Sequence, residues 1–425
     1  MKIDIRGKKL LILGATANEI PLVERAQQLG VYVIVTDYNL DHKMSPAKDV
    51  ANEYWDISWF DVENLAIECR RKSVDGVIAG YSEIRVSCML ELTKVLGLPS
   101  YINEQQLEVT RNKELFKREC RKYGVPTIRE YRSINDVNNY PVIVKPVDRA
   151  GSIGVVVANN FEELKDAYNY AMSKSLIGNV IIEDYITDAT EMDAHYAISE
   201  GKITLLCTDD IIPSLDNQKE GKVIQSAWMY PSKCENEFLK LVDNNLRAMI
   251  KGMGIRNGTI FFSGFSYGNN FSFFECGFRL WGEQEFKYDN LKGYFNYLDI
   301  YIIFSLLGNT KGISYEKDSI DKRLKSIAVN IYSKTGTINN IVGIDRVKRI
   351  PACELCIIDA YEGQKCDSSL AISPKIALIG FVGHSSKKLE QSVKELYECF
   401  KVTDKNGNNM IYEKIKEGIV ENYWN

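Results

Sequence analysis

The chain has 425 residues, 45% of them hydrophobic and 26% charged, with a formal net charge of −4. That is too long for one hydrophobic core and ordinary for a globular protein, so two to four domains are expected. No basic excess points to nucleic acid or to an anionic membrane surface. No run approaches the ~20 apolar residues of a membrane span, and the charged start Met1 to Lys9 lacks a signal-peptide core, so the expected location is the cytoplasm.

In chain order, KLLIL (9–13) ends at Gly14, and a helical pattern runs from Ile20 to Leu29. VYVIVTD (31–37) and VDGVIAG (74–80) follow as apolar strands, the second after a helix around Asn64 to Lys72. Strands alternating with helices predict a parallel α/β sheet. Gly14 stands where a dinucleotide fingerprint would begin, but Gly-Ala-Thr-Ala-Asn-Glu lacks the further glycines and argues against a nicotinamide cofactor. A charged helix is expected from Asn103 to Tyr123, stopped by Gly124 and Pro126.

PVIVKPV (141–147) reads as a strand, 148–154 as a loop and VVVAN as a returning strand. A helix over Phe161 to Lys174 and the strand VIIEDYI (180–186) come next. The stretch 192–210 reads as a hairpin turning at Glu200-Gly201, with Asp209 and Asp210 in a turn. One helix is expected from Glu235 to Met253. A long hairpin then pairs TIFFSGFSY with FSFFECGFR about Gly268-Asn269-Asn270, and a helix covers 290–307 with Tyr297, Tyr301 and Phe304 on its core face. The remainder holds β-rich stretches at 325–344 and 375–382 and a helix near 386–400. Of ten cysteines only Cys353 and Cys356 are close, with no second pair, so reduced structural cysteines are expected.

Three local patterns carry chemistry. In Lys145-Pro-Val-Asp-Arg-Ala-Gly-Ser-Ile-Gly154, a strand-end lysine precedes a loop of small residues. Gly151 and Gly154 let backbone N–H groups turn inward, and Ser152 adds a donor, which suits phosphate oxygens. The lysine comes before the glycines, so this is not a Walker A loop. VIIEDYI, followed by Glu191-Met-Asp193, offers a strand edge for an adenine and an acid for ribose hydroxyls; the plain alternative is an acidic strand end. In Phe273-Phe-Glu-Cys-Gly-Phe-Arg279, Glu275 interrupts an apolar strand and suits Mg²⁺, and Arg279 suits an oxyanion; the plain alternative is a buried salt bridge. His195 reads as a packed histidine, and Glu283 and Glu285 as a solvated charged turn, with compensation for the missing metal donors the lesser alternative.

Order and spacing join these patterns. Lys113 lies 32 residues before Lys145, Glu183 is 38 further on and Glu275 another 92. With NKELFKRECRKYGVPT, VIVKPVDRAGSIGV, VIIEDYITDATEMD and FFECGFRLWG, the chain resembles the ATP-grasp superfamily, in the branch of carbamoyl-phosphate synthase, biotin carboxylase and amino-acid ligases. The resemblance implies a multi-domain α/β fold in three parts. These are a Rossmann-like N-terminal domain (1–107), an ATP-grasp domain (108–308, with a mobile lid at about 120–190) and a β-rich C-terminal domain (309–425).

It further implies that Lys113, Lys145, Ser152 and Gly154 contact ATP phosphates. Glu183, Asp184, Tyr185 and Ile186 would frame the adenine, and Glu191 the ribose. Glu275 would bind Mg²⁺, with Mn²⁺ as a substitute, and Lys145 and Arg279 would act in catalysis. The implied reaction joins a small-molecule carboxylate to an amine through an acyl phosphate, in a homodimer without nucleic acid or membrane partner. Alternatives are a purine-pathway or carboxylation step, or a nucleotide-binding pseudoenzyme. Two positions depart from the family pattern: Gly277 where Asn is usual, and Phe261 or Ser263 where an acid is usual.

Overall fold

A computed structural model describes residues 4–149, 153–214, 224–312, 320–368 and 374–424. Strands β1 (Lys9–Leu13), β2 (Tyr32–Thr36), β3 (Glu53–Trp55) and β4 (Gly76–Ile78) form a parallel sheet of order β3-β2-β1-β4. Leu10 to Leu13 are completely buried, as expected for a parallel strand covered by helices on both faces. Gly14, at φ +109°, leaves room for the guanidinium of Arg85, which pairs with buried Glu19 at 2.8 Å. The glycine after the first strand therefore accommodates an ion pair.

The charged stretch after residue 103 is two helices, Glu104–Arg111 and Lys113–Tyr123, where one was expected. Asn112 between them is extended, and its side chain accepts from the Glu114 and Leu115 N–H groups. The asparagine thus caps the second helix and makes Lys113 its first residue.

Strands β5 (Glu130–Tyr131), β6 (Val142–Pro146), β7 (Val156–Ala158) and β8 (Val180–Asp184) form an antiparallel sheet of order β5-β8-β6-β7. Helix Phe161–Lys174 packs against it. Val142, Val144, Ala158, Leu164, Ala171 and Ile182 are among the residues of its separate small core.

The remaining strands are β9 (Thr190–Ser199), β10 (Lys202–Pro213), β11 (Gln225–Tyr230), β12 (Gly258–Tyr267), β13 (Asn270–Gly277) and β14 (Lys325–Tyr332). They continue with β15 (Gly336–Thr337), β16 (Asn340–Val342), β17 (Cys353–Ile358), β18 (Lys365–Cys366), β19 (Lys375–Gly383) and β20 (Lys401–Thr403). Eight of them build one antiparallel sheet of order β13-β12-β9-β10-β11-β14-β19-β17; β15 with β18 and β16 with β20 make two-stranded ribbons. Strands from the last hundred residues thus extend the sheet that β9 to β13 begin.

Asp209 and Asp210, expected in a turn, lie inside β10 and are buried, because the hairpin arm runs on to Pro213. The stretch expected as one helix from Glu235 breaks at Val242 into Glu235–Leu241 and Asp243–Gly252. The 290–307 stretch becomes Phe286–Lys292 and Leu298–Leu307, parted at Gly293, whose φ of +117° ends the first helix. Cys353 and Cys356 are free thiols on β17. Among the described residues no helix is long and apolar enough to cross a membrane.

Arg25, on helix Ile20–Gln28, makes two hydrogen bonds of 2.6 Å to Asp299 on helix Leu298–Leu307. Asp299 is 2% exposed, so the pair docks the N-terminal layer onto the middle of the chain. Arg25→Ala, which leaves that carboxylate buried and alone, is expected to cost roughly 3 kcal/mol. Thermal unfolding should show a lower midpoint for Arg25→Ala and partial recovery in Arg25→Ala/Asp299→Ala.

Candidate active site

The smaller antiparallel sheet and the edge of the large one meet around a buried array of charges. Glu183, at the end of β8, is completely buried. Its Oε2 is 2.5 Å from Lys145 Nζ on β6, and its Oε1 contacts Lys117 Nζ on helix Lys113–Tyr123. Lys117 is also buried; its Nζ is 3.3 Å from Glu130 Oε1 and donates to the Ile128 carbonyl at 3.3 Å. Burial pushes Lys117 down to about 8, against the pull of Glu130. Burial, then the charges of Lys117 and Lys113, push Lys145 down to about 7.

Lys145 Nζ stands 5.5 Å from the centre of the Phe274 ring on β13, and the Glu275 carboxylate is near enough to oppose its shift. This joins the two sheets. The junction is fixed upstream as well, where the Phe273 N–H donates to the Pro126 carbonyl at 2.9 Å. Lys113 Nζ donates to the Arg149 carbonyl at 2.8 Å, which ties the first lysine to the loop after β6.

Asp184 accepts from the Tyr131 hydroxyl at 2.6 Å, and the Tyr185 N–H donates to the Pro141 carbonyl at 3.1 Å. Tyr185 is exposed and Ile186 half-buried. Glu183, Asp184, Tyr185 and Ile186 thus form one continuous edge, although the Glu183 side chain faces the lysines. Gly154 sits at φ +79°, with Pro146 and Lys174 each 2.8 Å from where a Cβ would be, so the loop is tight where it rejoins β7. Gly151 and Ser152 lie outside the described residues.

On the large sheet, Glu275, Ser263, Asp193 and Asp209 are cross-strand neighbours on β13, β12, β9 and β10. Glu191, two residues before Asp193 on the same face, accepts from Gln225 Nε2 at 3.0 Å. Burial and repulsion from Glu275 push Glu191 up to about 7. Glu275 and Glu191 therefore face one region, as do Lys145 and Glu275. Arg279, just past β13, lies 5.0 Å over the Phe261 ring, and its Nε is 3.9 Å from Glu83 at the start of helix Glu83–Leu96.

The two departures from the family's metal pattern are one steric unit. Phe261 and Gly277 are direct partners on β12 and β13, and a Cβ at Gly277 would stand 2.2 Å from the Phe261 ring. The ring fills the space a residue-277 side chain needs, and then supports Arg279 and Trp281, the latter at 4.2 Å between centroids. Sequence reasoning sees two separate losses; the register shows that the ring at Phe261 requires the glycine at 277. It also passes over Lys117, although the i+4 spacing from Lys113 was a usable signal. Glu283 and Glu285, expected in a solvated turn, do lie in a turn, but Glu285 is buried and Glu283 half-buried, because the segment after Arg279 folds inward.

The sequence family described as D-ala D-ala ligase C-terminus matches residues 107–246. The formate-dependent phosphoribosylglycinamide formyltransferase of Mannheimia succiniciproducens is 24% identical over 192 residues, 43% of this chain and 48% of that protein. The D-alanine–D-alanine ligase of Fusobacterium nucleatum is 29% identical over 136 residues, 31% of this chain and 44% of that protein. The chain thus spans about half the length of these curated relatives.

Among solved structures, the L-amino acid ligase of Bacillus licheniformis superposes with a TM-score of 0.72 at 18% identity, over 94% of this chain and all of that one. The biotin carboxylase domain of Hydrogenobacter thermophilus 2-oxoglutarate carboxylase gives 0.75 at 16%, over 98% and 93%. The fold is that of ATP-grasp proteins.

Two outcomes test this geometry. Gly277→Ala should destabilise the chain, and Phe261→Ala in the same molecule should relieve most of that added loss, read as coupling in a double-mutant cycle of unfolding midpoints. Glu191 has a folded pKa above its unfolded value, so its ionisation costs stability at pH values above that range. Glu191→Gln should therefore raise the melting temperature at pH 8, with the gain shrinking as pH falls through about 7.

Proposed function

We propose that the chain is a cytoplasmic ATP-dependent carboxylate–amine ligase that works through an acyl phosphate. The observation that carries this reading is the convergence of Lys145, held by Glu183, on the strand that bears Glu275 and leads to Arg279. A polyphosphate needs such clustered cations, and a transferred phosphoryl group needs an arginine beside the reacting carbonyl.

In this reading Lys113 and Lys145 hold phosphate oxygens. The edge from Glu183 to Ile186 receives the adenine, and Glu191 the ribose. Low charge on free Lys145, at about 7, is restored when phosphate oxygens replace lost solvent. A substrate carboxylate oxygen attacks the γ-phosphorus, and the bond to the ADP oxygen breaks. An amine nitrogen then attacks the acyl carbon, loses a proton and expels phosphate. Arg279, held against Phe261, neutralises the oxyanion of that tetrahedral state.

Glu275 fits a Mg²⁺ ion, or Mn²⁺ in its place, while Phe261 and Gly277 offer no donor. When bound, the ion supplies charge neutralisation across the phosphates. The parts 1–107, 108–308 and 309–425 serve as N-terminal, ATP-grasp and C-terminal units. A homodimer belongs to the same reading, supported by the dimer of the Hydrogenobacter domain.

The test is ADP and phosphate release with Mg²⁺, ATP and pools of amino acids and small carboxylates. Release is expected only with particular pools, and Lys145→Ala and Glu275→Ala should each lower it by at least about 100-fold. ATP-induced thermal stabilisation without turnover in any pool would favour a nucleotide-binding pseudoenzyme, for which the loss of two metal donors speaks. Absence of both turnover and ATP binding would overturn the site.

A further inference from the structure

His195 was expected to be a packing residue, and its surroundings give it more to do. It lies on β9, 3% exposed, with Nε2 2.7 Å from Asp209 Oδ2 on β10 and Nδ1 3.7 Å from Glu285 Oε1. Asp193, two residues earlier on the same face, is the cross-strand partner of Asp209. Ligand atoms of Asp193, His195 and Asp209 all lie within 4.8 Å of one another. Asp193 and Asp209 are completely buried and Glu285 is 6% exposed.

The hydrogen-bond inventory does not close. An imidazole has at most two N–H donors, which Asp209 and Glu285 face. The Ser263 hydroxyl serves Asp193 Oδ1. Asp193 Oδ2 and Glu285 Oε2 remain without a hydrogen-bond partner, and they come from two separate elements. Buried carboxylate oxygens without donors are expensive. Exposure of 0–6% leaves no opening for a metabolite.

We propose that Asp193, His195 and Asp209 hold one divalent transition-metal ion of the Zn²⁺ or Mn²⁺ class, apart from the Glu275 position, with Glu285 orienting the imidazole from its other nitrogen. One imidazole with two carboxylates is a donor set that suits these ions and offers no soft sulfur ligand. Asp193 is two strands from Glu275 across the sheet, roughly 10 Å at ~4.8 Å per strand. The ion would tie β9 to β10 and, through the imidazole, to the segment that follows Arg279. In that position it would steady Arg279 without touching the nucleotide.

The full chain, stripped with a chelator, would be dialysed against Zn²⁺ or Mn²⁺ with excess Mg²⁺ present, and its metal content measured by elemental analysis. Close to one ion per chain is expected in the wild type and equally in Glu275→Gln, with a rise in melting temperature. His195→Ala and the near-isosteric Glu285→Gln and Asp193→Asn should bind at least about tenfold more weakly and lose the thermal rise. Their metal-free melting curves report folding separately, and the two conservative variants carry the test if His195→Ala fails to fold. The proposal is overturned if the wild type retains neither ion, if the variants bind like the wild type, or if Glu275→Gln abolishes binding.

Discussion

Everything in the site depends on one buried carboxylate. Glu183 touches Lys145 on a neighbouring strand and Lys117 on a helix, and none of the three has much access to water. Either lysine alone would be costly to bury; the shared anion makes both tolerable and fixes their positions. That arrangement locks β6, β8 and helix Lys113–Tyr123 into one body, so Lys113, at the first turn of the same helix, is aligned with Lys145. It also leaves Lys145 pushed down to about 7, a group whose charge a phosphate would restore. The cations are pre-arranged at the expense of an easily lost proton, a compromise common where charge must be met at short range.

The large sheet handles its charges differently. Its face carries Glu275, Glu191, Asp193 and Asp209, placed by a period of two along strands and by register across them. At the position beside Glu275 the family's usual donors give way to an aromatic ring and a glycine that fit each other. The ring then supports Arg279 by a cation–π contact, so the exchange removes metal donors and adds a rigid seat for the arginine. Acidic character shifts from that edge toward the interior, where His195 and Glu285 join it.

Much of this was legible in the chain. The parallel N-terminal sheet follows from apolar runs spaced by helical patterns, and the hairpins follow from strand alternation around Glu200-Gly201 and Gly268. Lys145 before a glycine loop, Glu275 in an apolar strand and Arg279 four residues on stand out because charged residues rarely interrupt such runs without a partner. Helix breaks at Asn112, Val242 and Gly293 were missed, because capping and packing decide them against a continuous local pattern. Asp209 was misjudged as a turn residue, and the turn that does hold Glu283 and Glu285 as a solvated one, since polarity predicts exposure unless a distant partner is known.

The sequence by itself determined the alternation of strands and helices, the spacing of the lysines, Glu275 and Arg279, and the absence of a dinucleotide fingerprint. These are properties of neighbours along the chain, where periodicity and turn chemistry act. Only the tertiary structure decided that Glu183 faces Lys117 and Lys145, that Phe261 requires Gly277, and that His195 meets Asp209 and Glu285. Those pairings join residues from 14 to 90 positions apart, such as His195 with Asp209 and with Glu285. Strand register and burial set them, and neither is encoded in any local stretch of residues.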